Sequence, residues 1–436
     1  MGKYSKLRRN LLDLGALNRA LSVDTELALK GLGRAFRNHE RADQKTEDLI
    51  FDCCFWNRIT VRAFFAHMEG LSYFMRRTAA LPRNAAALNL TNRQRATLLE
   101  LRYDRARDRI TKTIAPNRVG DNLKMAFRFY PRVFGTDFRP DLSSPTWKAL
   151  KRILASARND MMHTGTFEDF YAVEAAQTLR PCIIWFLGSM HQMLVPCYEQ
   201  VGVSVGKVDL SLIRNYEFDE ASFRQIKIPR EEFSRKVAEF QGRSWFVFQR
   251  SMFLLWQESS KSFEYYNSQS KIFGQDSATS QFAIRNCFRT LINYVEGATS
   301  VFRLYIEHAV ERGEVDLTSE QEDSLDRGDV FERLVATFGV FSAKFGDGSS
   351  FEASEEHWVA VRKVLSYRDS LTHPRSIRDL EIRGPGTLNL VSNCLGWLVD
   401  VLNNTKFDAD SIIEQGKRSG SIIPAAKESR PSALLS

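Results

Sequence analysis

Arg158-Asn159-Asp160-Met161-Met162-His163 and Arg368-Asp369-Ser370-Leu371-Thr372-His373 share one grammar: an Arg, a polar amide or carboxylate, three further residues, then His. They lie 210 positions apart. Each hexad closes an amphipathic run, Trp147-Lys148-Ala149-Leu150-Lys151-Arg152-Ile153-Leu154 before the first and Trp358-Val359-Ala360-Val361-Arg362-Lys363-Val364-Leu365 before the second. Apolar residues recur in both with helical period. Residues four apart share a helix face, so Asn159 with His163, and Asp369 with His373, stand one turn apart on one side. Gly165 and Pro374 mark the helix stops.

Working outward, the repetition extends well beyond the hexads. Arg58, Arg62, Glu69, Gly70 and Arg76 are matched at a constant offset of 227 by Arg285, Arg289, Glu296, Gly297 and Arg303, and Leu90-Thr91 with Gln94 by Leu317-Thr318 with Gln321. The register resumes at an offset of 211, with Phe127 on Phe338, Phe134-Gly135 on Phe345-Gly346, Ser143 on Ser354 and Trp147 on Trp358; one more residue of slippage aligns the hexads. Ser144-Pro145 and Ser354-Glu355-Glu356 read as helix starts, with a capping hydroxyl followed by Pro or by acids in the first turn. Each copy then ends in an apolar helix, over 172–195 and 387–402.

The expected fold is therefore all-α: two duplicated helical bundles packed in pseudo-twofold fashion, joined by a short extended or hairpin linker. Residues 1–200 form the first bundle, with 1–24 a basic amphipathic helical extension. Residues 201–228 form the linker, where Val201-x-Val203-x-Val205 and Val208-x-Leu210-x-Leu212 alternate. Residues 229–415 form the second bundle, and 416–436 a disordered tail. A helical pattern runs from Thr25 to Trp56, a further helix carries Arg58 to Arg76, and the polar stretch 268–280 reads as a loop. The run Arg93, Arg95, Arg102, Arg105, Arg107, Arg109, Lys112 reads as a solvated helix face, since Glu100, Asp104 and Asp108 interleave it, or as a track for an RNA backbone.

With 436 residues, 43% hydrophobic and 26% charged, the chain has enough material for sizeable cores. The net charge of +8 permits an anionic partner. No apolar run reaches the ~18 residues of a membrane span, and the N-terminus lacks a signal-peptide core, so no membrane association and a cytoplasmic location are expected. Six cysteines without a CxxC pair suggest buried thiols, with neither a zinc site nor a disulfide framework. P-loop, HExxH, GxSxG and Rossmann glycine patterns are absent. No cofactor or metal is expected.

A duplicated helical unit with Arg, a polar neighbour and His in each copy resembles the HEPN superfamily of ribonucleases. In that family each domain is a bundle of four or five helices with an Arg and a His separated by four to six residues. The tandem arrangement is similar to the paired HEPN domains of type VI CRISPR effector nucleases. The Tyr two residues beyond the His in HEPN toxins that pair with nucleotidyltransferase antitoxins is replaced here by Gly165 and Arg375. The resemblance implies a metal-independent endoribonuclease of defence or toxin type. Its catalytic residues would be Arg158, Asn159, His163, Arg368, Asp369 and His373, meeting in one composite site.

The residue types suit that chemistry. Two imidazoles near a pKa of about 6.5 can exchange protons with the attacking 2′-hydroxyl and the leaving 5′-oxygen. Two guanidiniums match the phosphorane charge. Glu69 and Glu296 are candidates to hold the hexad arginines, or else pair with arginines on their own helices. The expected partner is an RNA substrate, with a homodimer and an activator or inhibitor protein as further partners. The alternative is a non-catalytic bundle that binds RNA, a nucleotide or a protein.

Overall fold

In a computed structural model, the described residues are 3–42, 47–115, 117–151, 172–203, 244–311, 313, 315–326, 328–345, 354–372, 374, 376–382 and 386–404. The chain is mostly helical. The first half comprises α1 (Lys3–Arg41), α2 (Glu47–Ala80), α3 (Pro82–Ala87), α4 (Asn92–Leu99), a hairpin of β1 (Leu101–Asp104) and β2 (Arg109–Ile114), α5 (Val119–Val133), a helical stretch at 145–151, and α6 (Ala172–Gln200). The second half comprises α7 (Ser244–Phe273), α8 (Ala278–Glu311), α9 (Ser319–Asp326), α10 (Val330–Phe345), α11 (Glu355–Ser366), the single-turn α12 (Arg368–Thr372), a 3₁₀ turn (Ile377–Leu380) and α13 (Thr387–Asn404).

Two long antiparallel hairpins, α1 with α2 and α7 with α8, form the frame. The first core gathers Leu11, Leu14, Leu17 and Leu21 of α1 with Phe64, Phe65 and Met68 of α2, Phe127 and Tyr130 of α5, and Ile183 and Phe186 of α6. The second gathers Phe288, Leu291 and Phe302 of α8 with Phe338 and Phe341 of α10, Val361 of α11 and Trp397 of α13. Burying such stripes is what stabilises long amphipathic helices.

Several local expectations are revised. Residues 3–24 are helical as expected, but the helix does not stop there: α1 runs unbroken to Arg41, and its first four core leucines are fully buried. Arg58 to Arg76 do not open a new helix but continue α2, which starts at Glu47. The stretch 268–280 is not a loop throughout, because α7 continues to Phe273. It stops at Gly274, whose φ of +77° suits glycine, and Ser277 then caps α8 by accepting from the Ser280 amide at 3.1 Å. The basic run is not one helix face: Glu100 ends α4 in the left-handed conformation (φ +56°), and the antiparallel hairpin follows.

The helix starts are capped by Ser144, whose Oγ accepts from Trp147 N, and by Ser354, whose Oγ accepts from His357 N, so the capping residues stand 210 apart. Among the described residues no helix is long and apolar enough to cross a membrane. The expected linker beyond Val203 and the expected tail lie outside the described residues.

Candidate functional site

Arg62, Glu69 and Arg76 follow one another at seven-residue intervals, with Arg58 one turn before Arg62, so α2 carries these charges on a single stripe. All four residues are buried. A buried stripe of charge needs partners, and each part of it has a distinct task.

At the far end, Arg76 Nη1 donates to the Leu98 carbonyl at the end of α4 (2.8 Å), and Arg303 Nη1 donates to the Leu325 carbonyl at the end of α9 (3.0 Å). Both short helices begin with the same reciprocal cap. Thr91 N donates to Gln94 Oε1 and Gln94 N to Thr91 Oγ1, at 2.9 and 3.2 Å. Thr318 and Gln321 repeat this at 3.0 and 3.2 Å. The repeated Leu-Thr-x-x-Gln and the repeated last Arg are thus the start and stop of one short helix in each half.

At the near end, the arginines reach across the two halves. Arg62 and Arg58 pair with Glu258 of α7, while Arg285 and Arg289 of α8 pair with Asp24 of α1. Arg285 holds Asp24 with two hydrogen bonds, of 2.9 and 2.5 Å. Burial opposes ionisation of Glu258, but the Arg62 and Arg58 guanidiniums hold its carboxyl below the ordinary range. Burial lowers Arg289 to about 10, with Asp24 countering and Arg285 and Arg62 adding to the fall. These two acids did not stand out in the sequence. A usable signal exists: Asp24 interrupts the apolar stripe Leu17, Leu21, Ala28 of α1, where an acid is costly without a partner.

Beside the middle of the stripe lies the described part of the second hexad, Arg368–Thr372. Arg368 Nε is 2.5 Å from Glu296 Oε1, with side-chain exposures of 33% and 10%, so the carboxylate fixes a guanidinium that still reaches solvent. Glu296 thus pairs with the hexad arginine, and Arg303 of the same helix pairs with Glu307. The turn α12 is anchored by buried Leu371 and by Tyr367 just before it, whose ring meets Phe288 edge-on at 5.0 Å.

This turn packs against α8 of its own half and also against α2 of the other. A Cβ added at Gly70 would lie 2.7 Å from Pro374 Cγ, so only glycine lets the backbone of α2 approach the residue after the second hexad. Gly70 follows Glu69, which is 7% exposed. The chain then stays on the seam: Leu380 enters the first core, and its carbonyl accepts from Arg285 Nη1 at 2.9 Å.

No family model, curated protein or solved structure matches this chain. Arg368 and Glu296 are thus placed together, and Glu69 lies beside the seam that α12 occupies. Arg158, Asn159, His163 and His373 lie outside the described residues, as does the side chain of Asp369. Among the described residues no three His, Cys, Asp or Glu side chains cluster as ligands for a metal ion would.

Proposed function

We propose that this protein is a metal-independent endoribonuclease of the HEPN type, built from two duplicated bundles whose hexads form one composite site. The observation that carries the reading is the position of the second hexad. Its Arg368 is held by Glu296, its helix packs on α2 of the other half, and Pro374 just after it lies against Gly70, the residue next to Glu69 in the chain. Glu69 stands in the first half where Glu296 stands in the second. Duplication is supported by the matching tasks of Arg76 and Arg303, of the two Thr–Gln caps, and of the arginine pairs that cross the seam in both directions.

In this reading Arg158 and His163 complete the site that Arg368 and His373 open. One imidazole takes the proton of the 2′-hydroxyl as it attacks the adjacent phosphate. The other protonates the departing 5′-oxygen, leaving a 2′,3′-cyclic phosphate or, after hydrolysis, a 3′-phosphate. The guanidiniums carry the charge that develops on the phosphorane oxygens. Asn159 and Asp369, one helical turn before each His, orient the imidazole or the substrate.

Incubation of the purified protein with mixed RNA in excess EDTA tests this reading. Cleavage leaving cyclic-phosphate ends is the expected result. RNA that remains intact at every protein concentration, together with measurable binding, would favour the non-catalytic module instead.

A further inference from the structure

Among the described residues the hairpin β1–β2 has no counterpart in the second half. Residues 100–118 connect α4 to α5, whereas residues 327–329 connect α9 to α10, and this difference equals the fall in register from 227 to 211. The extra segment is built to a pattern. Half-buried Leu101, Tyr103 and Ile110 mark the side of the ribbon that rests on α4, while Arg102, Arg105, Arg107, Arg109 and Lys112 are exposed. The two acids of the hairpin serve its turn. Asp104 Oδ1 accepts from the Ala106 and Arg107 amides, at 3.1 and 3.3 Å, and Asp108 Oδ1 accepts from the Tyr103 hydroxyl at 2.6 Å. Arg109 sits 3.7 Å from Asp104, and among the described residues Arg102, Arg105, Arg107 and Lys112 make no ion pair.

The root of this ribbon is fastened to the same stripe as the hexad seam. Arg76 Nη2 donates to Glu100 Oε2 at 2.9 Å, and Asn122 Nδ2 donates to Glu100 Oε1 at 2.8 Å. Burial opposes ionisation of Glu100, but the Arg76 guanidinium and the bonds from Asn122 and Asn117 hold its carboxyl below the ordinary range. From Glu69 to Arg76 is seven residues of helix, about 10 Å at 1.5 Å per residue, a span of roughly three stacked nucleotides.

We propose that the hairpin is a backbone grip for single-stranded RNA, holding the strand that runs to the seam; this rests on the ribonuclease reading of that seam. Four exposed cations, Arg102 and Lys112 on the strands and Arg105 and Arg107 in the turn between them, make a footprint for successive phosphates. Charge also protects exposed strand edges from pairing, but mixed signs would serve that purpose, and here both acids are committed to the turn.

The test is binding of a labelled 2′-O-methyl RNA, which cannot be cleaved by 2′-hydroxyl attack, measured by fluorescence anisotropy across a salt series. The full-length protein is compared with a variant carrying Arg102→Gln, Arg105→Gln, Arg107→Gln and Lys112→Gln. Each lost phosphate contact flattens the log–log salt slope by about 0.7, so two to four contacts flatten it by about 1.4–2.8 and weaken binding at 0.1 M salt by about 25- to 600-fold. A variant with Arg105→Gln and Arg107→Gln alone, both in the turn, keeps the test open if the fourfold change disturbs folding; a slope flatter by about 1.4 is expected. Unchanged slope and affinity in a folded variant, or no salt-dependent binding by the parent, would overturn the grip. Cleavage of ordinary RNA by the same preparations is scored separately, so the grip and the ribonuclease reading can fail independently.

Discussion

Replacing Asp24 by Asn keeps the shape of a fully buried side chain while removing its charge, and tests whether the crossed arginines lock the two halves. Asp24 takes two hydrogen bonds from Arg285 and lies 3.6 Å from Arg289. Arg285 and Arg289 are 6% and 5% exposed. Water therefore cannot replace the lost carboxylate, and both guanidiniums keep their desolvation cost without compensation. Breaking a buried pair in this way costs about 3–5 kcal/mol, a large part of a total stability of about 5–15 kcal/mol. Arg62 and Glu258 adjoin the same cluster, since Arg62 contributes to the lowering of Arg289, so the loss in Asp24→Asn combined with Glu258→Gln departs from the sum of the single losses. The assay is urea unfolding followed by circular dichroism at pH 7, with Asp121→Asn as control. Asp121 pairs with Lys124 at exposures of 55% and 37%, and its loss is expected to cost less than about 0.5 kcal/mol. Adding Arg285→Gln to Asp24→Asn removes one uncompensated charge and should restore part of the stability. A loss from Asp24→Asn no larger than that of the control would refute the lock.

Glu296→Gln should lower RNA cleavage at least ~10-fold, mainly in kcat, because Arg368 loses the charge that orients it. Thermal unfolding checks that the fold persists, and undiminished kcat would remove Glu296 from the mechanism. Gly70→Ala drives a methyl toward Pro374 and Leu21, so a loss of about 1–3 kcal/mol and slower cleavage are expected. Gly339→Ala, in an exposed position of α10 with open space around it, should be neutral or stabilise by up to about 1 kcal/mol. His67 is fully buried between Asn18 and Thr25, and burial lowers its pKa from 6.5 to about 3 against the opposing pull of Asp24. The unfolded chain therefore binds the extra proton first. Stability from this group is complete above pH 6.5 and falls as pH drops toward 3, by at most roughly 5 kcal/mol. His67→Gln should flatten urea midpoints measured between pH 7 and pH 4; an unchanged pH profile in that variant would count against a buried neutral imidazole.

The helical frame was legible because Leu11, Leu14, Leu17 and Leu21, or Phe64, Met68 and Leu71, recur with the helix period and pack as that period implies. Two of the recurring residue patterns carry the same backbone tasks, with Thr91 and Thr318 starting short helices and Arg76 and Arg303 ending them. The hairpin was not legible, since a strand as short as the four residues Leu101–Asp104 gives too few alternations to outweigh a helical reading continued from the neighbouring α4. The partners of Arg58, Arg62, Arg285 and Arg289 were hidden for another reason: Asp24 and Glu258 lie about 200 residues or more away in the chain, and no local spacing relates them. For Glu296 the sequence left open a hexad arginine or arginines on its own helix, and the pair with Arg368, 72 residues on, is one that only the fold brings together.

Whether one active site is shared by both hexads is decided by single-turnover cleavage of one labelled RNA. The comparison is parent protein, Arg158→Ala, His163→Ala, Arg368→Ala, His373→Ala and the double His variant, each checked for folding. In a shared site every single change removes the acid, the base or a charge stabiliser from the only site, and general acid or base catalysis is typically worth about 10²–10⁴-fold. Each single variant is therefore expected to lose at least ~100-fold, with the double His variant falling little further because the pair acts as a unit. Single His variants that keep about half the parent rate, a change of under ~0.5 kcal/mol in apparent barrier, would contradict the shared site, and full activity in the double variant would exclude both hexads from the chemistry.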